Sequence, residues 1–277
     1  MNLKQQIEQL YAQPAQDSYP DEWYTVFSRF KEQLNTGSIR IAEKQGSDWI
    51  VHDWVKKGVL LGFRIGSLKD YSINDHFKYF DKDTYPLKTL SLNNKVRMVP
   101  GGSSIRDGCY VSPGVVCMPP MYINVGVYVD AGTMIDSHAL VGSCAQVGKN
   151  VHISAATQIG GVLEPIGALP VIIEDVVLIG GNCGIYEGAL IRKGAIIGSG
   201  VILTGSTPVY DLVKETIYRK SDNRPLEIPE NAVVIAGSRK INKDWAEQYG
   251  LSIYTPIIVK YRDDKTDKAV ELEDWLR

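Results

Sequence analysis

VPGGSS (99–104), IRDGCY (105–110), VSPGVV (111–116), CMPPMY (117–122), INVGVY (123–128), VDAGTM (129–134), IDSHAL (135–140), VGSCAQ (141–146), VGKNVH (147–152), ISAATQ (153–158) and IGGVLE (159–164) are consecutive hexads. Each opens on Val or Ile except the one led by Cys117, and the fifth position is usually small or aliphatic. After Ile159 the phase slips by two residues through EPIGALPV (164–171). It then resumes as IEDVVL, IGGNCG, IYEGAL, IRKGAI, IGSGVI and LTGSTP, from Ile173 to Pro208.

A period of six matches neither the 3.6 of a helix nor the 2.0 of a long strand, and it suits short strands joined by tight turns. The branched aliphatic at position one is expected to point inward with the small fifth residue beside it. Gly, Asn or Asp at the turns tolerates φ > 0. Three hexads would close one triangular coil, coils would stack at about 4.8 Å, and the block count gives roughly five to six of them. The slip, with register intact on both sides, reads as a loop leaving one corner.

The remaining bulk properties exclude several classes. The chain has 277 residues, 44% hydrophobic, with a formal charge of −2, so it can bury a full core and has no field or basic arm to attract nucleic acid. The opening MNLKQQIEQLYAQ has helical spacing and lacks the apolar run of a signal peptide, and no stretch of about 18 apolar residues occurs; the expected location is the cytoplasm, away from membranes. Cys109, Cys117, Cys144 and Cys183 form no CxxC pair and are expected to be buried thiols rather than zinc ligands or disulfides.

Outside the hexads, MNLKQQIEQLYAQ and EWYTVFSRFKEQLNTG carry apolar residues at three and four spacing, with Gly37 as a helix stop. IRIAE reads as a strand, Gln45 to Asp48 as a turn, and a helix is expected through the pair Lys56 and Lys57. The fold expected is mainly β. It has an N-terminal α/β cap domain over 1–95, a parallel β-helix over 96–240 with an excursion near 208–228, and a small C-terminal extension over 241–277. NAVVIAGSRK is read as a last rung, and SIYTPIIVKYRDDKTDKAVELEDWLR as a strand, a charged turn and a short helix.

The hexad pattern resembles the hexapeptide-repeat family, and that resemblance, not the physics, implies a left-handed coil, since parallel crossovers are usually right-handed. A more specific likeness covers nearly the whole chain. IRIAEK, Trp49, WVKKGVLLGFRI, YFDK (79–82), VRMVPGG, INVGVYVDAGTMIDSHALVGSCAQVGKNVHIS and IGGVLEP together resemble the tetrahydrodipicolinate N-succinyltransferase family. The resemblance implies transfer of succinyl from succinyl-CoA, as co-substrate with no metal, to the amino group of the opened dicarboxylate tetrahydrodipicolinate. The product is N-succinyl-2-amino-6-oxopimelate, on the lysine and diaminopimelate route. It also implies a homotrimer with active sites between neighbouring β-helices and the pantetheine arm lying along the coils.

Arg97, in VRMVP, and Asp136, in MIDSHA, match family substrate positions. Elsewhere the chain departs: Ser137 and His138 stand where members often have Trp and Thr, and Gly184 replaces a glutamate suspected of catalysis in some members, with Glu187 only a loose substitute. Acyl transfer from a thioester to an amine needs a proton acceptor and donors for the developing oxyanion. Asp136, at the second hexad position, is expected at a turn edge facing outward, as the catalytic and substrate-binding carboxylate. The bland alternative is a turn aspartate satisfying local N–H groups. Arg97 suits a substrate carboxylate. His138 and His152 are further candidate bases, with His138 ranked ahead; Asp130 should lie on the adjacent face as a turn or contact residue. For coenzyme A the candidates are Arg239 and Lys240, with Lys193 behind them for phosphates, and the amides of Gly180, Gly198 and Gly237 for the pantetheine.

Three rivals stand against this reading, and the histidine count argues against the second of them. They are the same acceptor with acetyl-CoA, a γ-type carbonic anhydrase, and a non-catalytic scaffold. The carbonic anhydrase needs three zinc-binding histidines, and of His52, His76, His138 and His152 only the last two lie in the repeats.

Overall fold

The computed structural model describes residues 1–221 and 224–263. Each hexad contributes one two-residue strand ending on its leading residue, as in Tyr110–Val111, Val116–Cys117, Tyr122–Ile123 and Tyr128–Val129. Strands pair in parallel with the third strand before and after, so Tyr128 stands against Gln146, eighteen residues on. Three hexads thus close one turn of a three-sided parallel stack. Its faces are named here by their first strands, beginning at Arg97, Ser104 and Tyr110. The Ser104 and Tyr110 faces hold six strands each, and the Arg97 face belongs to a ten-stranded sheet.

The leading residues Val111, Ile123, Val129, Ile135, Val147 and Ile153 are buried, and the fifth-position residues Cys109, Val115, Val127, Ala139 and Val151 share one continuous core with them. Each Val or Ile among them contributes roughly 1.5–3 kcal/mol when fully withdrawn from water. The fourth position turns the corner with positive φ: 71° at Gly132, 62° at His138 and 53° at Asn150. Glycine or asparagine accepts that conformation readily, and His138 takes it at some cost.

Both excursions leave the same corner, between the Ser104 and Tyr110 faces. After Gln158–Ile159 the next strand is Ile172–Ile173. Gln146 pairs with Ile172, twenty-six residues on where the preceding pair is eighteen apart, so the two-residue slip is an eight-residue loop that skips one hexad. After Ile202–Leu203 the next strand on the Tyr110 face is Glu227–Ile228, paired with Leu190 and Ile191. A rung therefore lies inside LEIP, where the hexad reading placed only excursion. Val209–Asp211 and Thr216–Tyr218 form an antiparallel hairpin in that second excursion. NAVVIAGSRK is a rung at Val233 and Val234, against Ile196 and Ile197, and then runs on to Lys240 as one arm of an antiparallel hairpin with Ser252–Tyr261. The helix Asp244–Gln248 lies between the arms. The short C-terminal helix expected from sequence lies outside the described residues.

The N-terminal part is built from α1 (Leu3–Ala12), α2 (Asp21–Thr36) and α3 (Asp53–Ile65). Asn2 and Gln5 cap α1 reciprocally, and α2 ends at Gly37 with φ 72°, as its helix-stop position anticipates. Ile7, Phe27, Phe30, Val59, Leu61 and Tyr85 form a second core that reaches Val125 and Cys144. The bundle thereby docks on the same corner from which the excursions leave. Among the described residues no helix is long and apolar enough to cross a membrane.

A hairpin, Ala42–Gln45 with Asp48–Val51, lies over the Tyr110 face, where Ala42 packs with Ile172 and Leu190. Two polar ties hold it. Arg40 stacks on Tyr128 at 3.7 Å and donates from Nε to Gln146 Oε1 at 2.9 Å. Buried Glu174 accepts from Trp49 Nε1 at 2.9 Å and from the Lys193 N–H at 3.0 Å, and it pairs with Lys44 at 2.9 Å and Arg192 at 3.2 Å. Burial pushes the Glu174 carboxyl up, but bonds from Lys44, Trp49 and the Lys193 amide outweigh it and hold the group below the ordinary glutamate value.

A depressed carboxyl pKa contributes stability that is present above the unfolded value, about 4.3, and is lost as pH falls through the folded one. Glu174→Gln should therefore cost roughly 1.5–3 kcal/mol at pH 7, and the gap to the parent should narrow as the pH falls below the unfolded value and through the lower folded one. Urea melts across that range measure it; a gap independent of pH would show that the carboxylate does not tie down the hairpin.

Candidate active site

Register arithmetic assembles the site. Arg97, Val116, Met134, His152, Leu178, Ile196 and Val233 stand in one column on the Arg97 face. The residues one beyond each leading aliphatic form a second column along the same edge, which contains Asp136, Ser154, Gly180 and Gly198. Gly237, Arg239 and Lys240 lie on Ala232–Lys240 of the same sheet. Arg97, Gly237, Arg239 and Lys240 thus lie in strands of this sheet, and Asp136, Gly180 and Gly198 each directly follow one of its strands. The strand of Arg97 is two interstrand steps from that of Met134, about 10 Å.

Asp136 is half-buried, and its Oδ1 accepts from the Ser137 N–H at 2.7 Å. That bond alone is generic to the repeat: Asn124 Oδ1 accepts from the Val125 N–H at 2.8 Å and Asp130 Oδ1 from the Ala131 N–H at 2.7 Å. The other oxygen sets Asp136 apart. Its Oδ2 faces His152 Nε2 at 3.9 Å across adjacent coils. His138, ranked ahead of His152 as a base, is an exposed corner residue, and it is His152 that the stack brings to the carboxylate. Asp130 lies on the Tyr110 face, next to that of Asp136.

The glycines behave differently from the expectation. The Gly180 N–H donates to Ile197 O and the Gly198 N–H to Val234 O, both at 2.7 Å, so neither amide is open to a pantetheine arm. A Cβ on Gly180 would come within 2.5 Å of Ser199 N, and one on Gly237 within 2.4 Å of Ile257 Cδ1; close packing of the next strand accounts for both glycines. Lys240 pairs with Glu247 at 2.9 Å, and Arg239 lies 6.0 Å from the Tyr210 ring. Lys193 is exposed near Glu174, off this sheet. At Gly184 a Cβ would lie 2.4 Å from the Tyr186 ring, so that ring fills the space a longer side chain would need. Glu187 Oε2 accepts from the Gly205 N–H at 2.6 Å, a bond that closes its own corner.

Sequence reading missed a cleft of about 1030 Å³ between the two excursions. The corner Tyr186–Gly188 lies between its walls, Glu164 and Leu169 line one side, and Lys220 and Arg224 the other. The signal was available in the phase: both breaks in the hexads fall at the same corner, so their loops must face each other.

Stacked hexads that set an acid and an imidazole on adjacent coils of one face, beside a basic strand of the same sheet, define a protein of the hexapeptide-repeat class. Comparison narrows the class. A family profile described as tetrahydrodipicolinate N-succinyltransferase N-terminal matches residues 2–65. A 2,3,4,5-tetrahydropyridine-2,6-dicarboxylate N-succinyltransferase from Psychrobacter sp. (strain PRwf-1) is 40% identical over 287 residues, covering 100% of this chain and 99% of that one. Proteins of the same name from Cupriavidus metallidurans and Legionella pneumophila (strain Corby) are 41% and 42% identical, covering 94% and 88% of this chain and 92% and 85% of theirs. This chain belongs to the tetrahydrodipicolinate N-succinyltransferase family, and it is an acyltransferase. A solved chain from Campylobacter jejuni aligns with a TM-score of 0.47 at 15% identity, over 89% of this chain and 64% of that one.

Asn keeps the Oδ1 acceptor that the corner uses and removes the charge that faces His152. Asp136→Asn should leave the melting point nearly unchanged, within about 1 kcal/mol of stability, while turnover falls roughly a hundred- to ten-thousandfold. Asp130→Asn, which alters the same local bond on another face, should keep turnover within a few fold. Equal kinetics for the two variants would return Asp136 to the role of a corner residue.

Proposed function

We propose that this chain transfers the succinyl group of succinyl-CoA to the amino group of opened tetrahydrodipicolinate, giving N-succinyl-2-amino-6-oxopimelate and free coenzyme A on the lysine and diaminopimelate route. The observation that carries the reading is the identity of 40% along the full chain to a relative named for this reaction, with Asp136 directly following a strand of the sheet that holds Arg97. In the transfer the amine nitrogen attacks the thioester carbonyl, the C–N bond forms, the C–S bond breaks and the sulfur leaves as the thiolate of coenzyme A, which takes up the proton that the Asp136 carboxylate has received from the amine. The proton released by the amine goes to the Asp136 carboxylate, whose Oδ2 is the oxygen not engaged by the corner. His152 Nε2, 3.9 Å from that oxygen, steadies its orientation. Arg97 holds an acceptor carboxylate through its guanidinium fork.

In the same reading the three-sided stack is a left-handed β-helix, as hexads of this pattern imply, with a cap over 1–95 and an extension over 241–277. Coenzyme A runs along the Arg97 sheet toward Arg239 and Lys240, in van der Waals contact with the Gly180 and Gly198 edge. Three copies assemble in the cytoplasm with active sites between neighbouring stacks.

Thiol release by the purified protein tests the donor. Succinyl-CoA should exceed acetyl-CoA by about tenfold or more in kcat/KM, because recognition of the extra carboxylate by a charged hydrogen bond is worth about 1.5–3 kcal/mol; equal rates, or release that ignores the acceptor, would overturn the assignment. On the acceptor side Arg97→Ala should raise KM by about tenfold or more with the fold intact. An unchanged acceptor KM would remove Arg97 from the site.

A further inference from the structure

The sheet that carries Arg97 continues past the last coil into the C-terminal hairpin. The strand of Val233 is four interstrand steps from that of Met134, about 19 Å along the stack. Beyond Val234 the arm pairs only with Ser252–Tyr261, out to Lys240. The helix Asp244–Gln248 closes the far end and is firmly docked. Ala246 is buried, Gly250 follows with φ 62°, and the Leu251 N–H donates to Ala246 O at 2.9 Å.

On this docked turn Trp245 and Tyr249 stand 67% and 60% exposed, with ring centroids 4.8 Å apart. Trp23 is buried and Trp49 and Trp54 are half-buried, so Trp245 is the tryptophan that the described residues leave to solvent. The same end of the hairpin holds Arg239, Lys240 and Lys243, against the acids Asp244 and Glu247. Glu247 is taken by Lys240 at 2.9 Å, while neither Arg239 nor Lys243 has an ion-pair partner among the described residues.

A single exposed apolar side chain needs no explanation. Two aromatic rings held together on a docked turn, with unpaired cations on the adjoining strand and loop, form the combination that takes a nucleotide: the base stacks on a ring, and Lys and Arg meet the phosphates. We propose that Trp245 and Tyr249 bind the adenine of coenzyme A, with Arg239 and Lys243 on its phosphates. The proposal rests on the acyl-transfer reading, which sets the thioester at Asp136 and runs the pantetheine arm along this sheet toward the hairpin. A second copy of the chain would also cover the rings, but it gives no reason for cations left without carboxylates, and a polyanion does.

Two donors that share a thioester separate these cases, since succinyl-CoA has the nucleotide and succinyl-pantetheine lacks it. Trp245→Ala should raise KM for succinyl-CoA by about tenfold or more, the loss expected when one base is unstacked, with kcat and the acceptor KM within a few fold. With succinyl-pantetheine the same variant should lose nothing in kcat/KM. Trp245→Phe, which keeps a ring, should recover most of the loss. In calorimetry, adenosine bisphosphate, the nucleotide end of coenzyme A freed of its arm, should bind the parent and weaken by a similar factor in Trp245→Ala. Equal losses with both donors, an unchanged KM for succinyl-CoA, or a variant that dissociates in sedimentation would each overturn the proposal, the last by making the rings a contact between copies. A parent that transfers no succinyl group would instead sink the functional reading, and nucleotide binding by the parent and Trp245→Ala would still decide the subsite.

Discussion

Everything in this molecule depends on the in-register stacking of two-residue strands, each ending on a buried aliphatic. Because strands pair parallel with neighbours eighteen residues away, the backbone N–H and C=O groups of one coil are satisfied by the next, and side chains fall into vertical columns. Such a stack cannot be shifted by one residue anywhere without turning a buried Val or Ile outward and an outward polar residue in. The columns are therefore rigid coordinates. They place Arg97, Met134 and His152 on one line and Asp136 on the line beside it, although no two of these residues are neighbours in the chain.

A stack of this kind tolerates added chain only where it does not interrupt a strand. Both excursions use one corner, and both return in phase, with Ile173 and Ile228 back in the core. The N-terminal bundle occupies the earlier coils at that same corner through Val125 and Cys144. The corner is thus built along its whole length, and the polar ties to the N-terminal part lie near it: Glu174 anchors the hairpin to the Tyr110 face, and Lys56 anchors the first loop to α3. Apolar burial supplies most of the docking energy, while these bonds select one arrangement among several that would bury similar area.

The hexads made the three-sided stack legible because each repeat states its own inward residue and its own corner. Gly37 announced the end of α2 for the same kind of local reason, a left-handed backbone that glycine accepts. What could not be read were features decided by the partner coil. A slip of two residues does not say whether a hexad was skipped, and only the pairing of Gln146 with Ile172 shows that one was. The rung at Ile228 has no hexad before it in sequence, since the second excursion precedes it directly. The glycines at 180 and 198 suggested open amides, yet the ladder uses those amides and the next coil needs the missing Cβ.

The choice between His138 and His152 shows where the limit lies. Distance along the chain favours His138, two residues from Asp136, but the corner carries it away with φ 62° into an exposed position. His152 is sixteen residues on, two short of the eighteen that return the chain to the same column, so it stands diagonally across from Asp136 on the same face. Asn124, Asp130 and Asp136 make the same bond to the next amide, and nothing in their own hexads sets Asp136 apart from the other two. The difference arises one coil later, in which side chain the register delivers to the remaining oxygen. In a solenoid, then, the chemical identity of a residue is read from the sequence one period away as much as from its own neighbours.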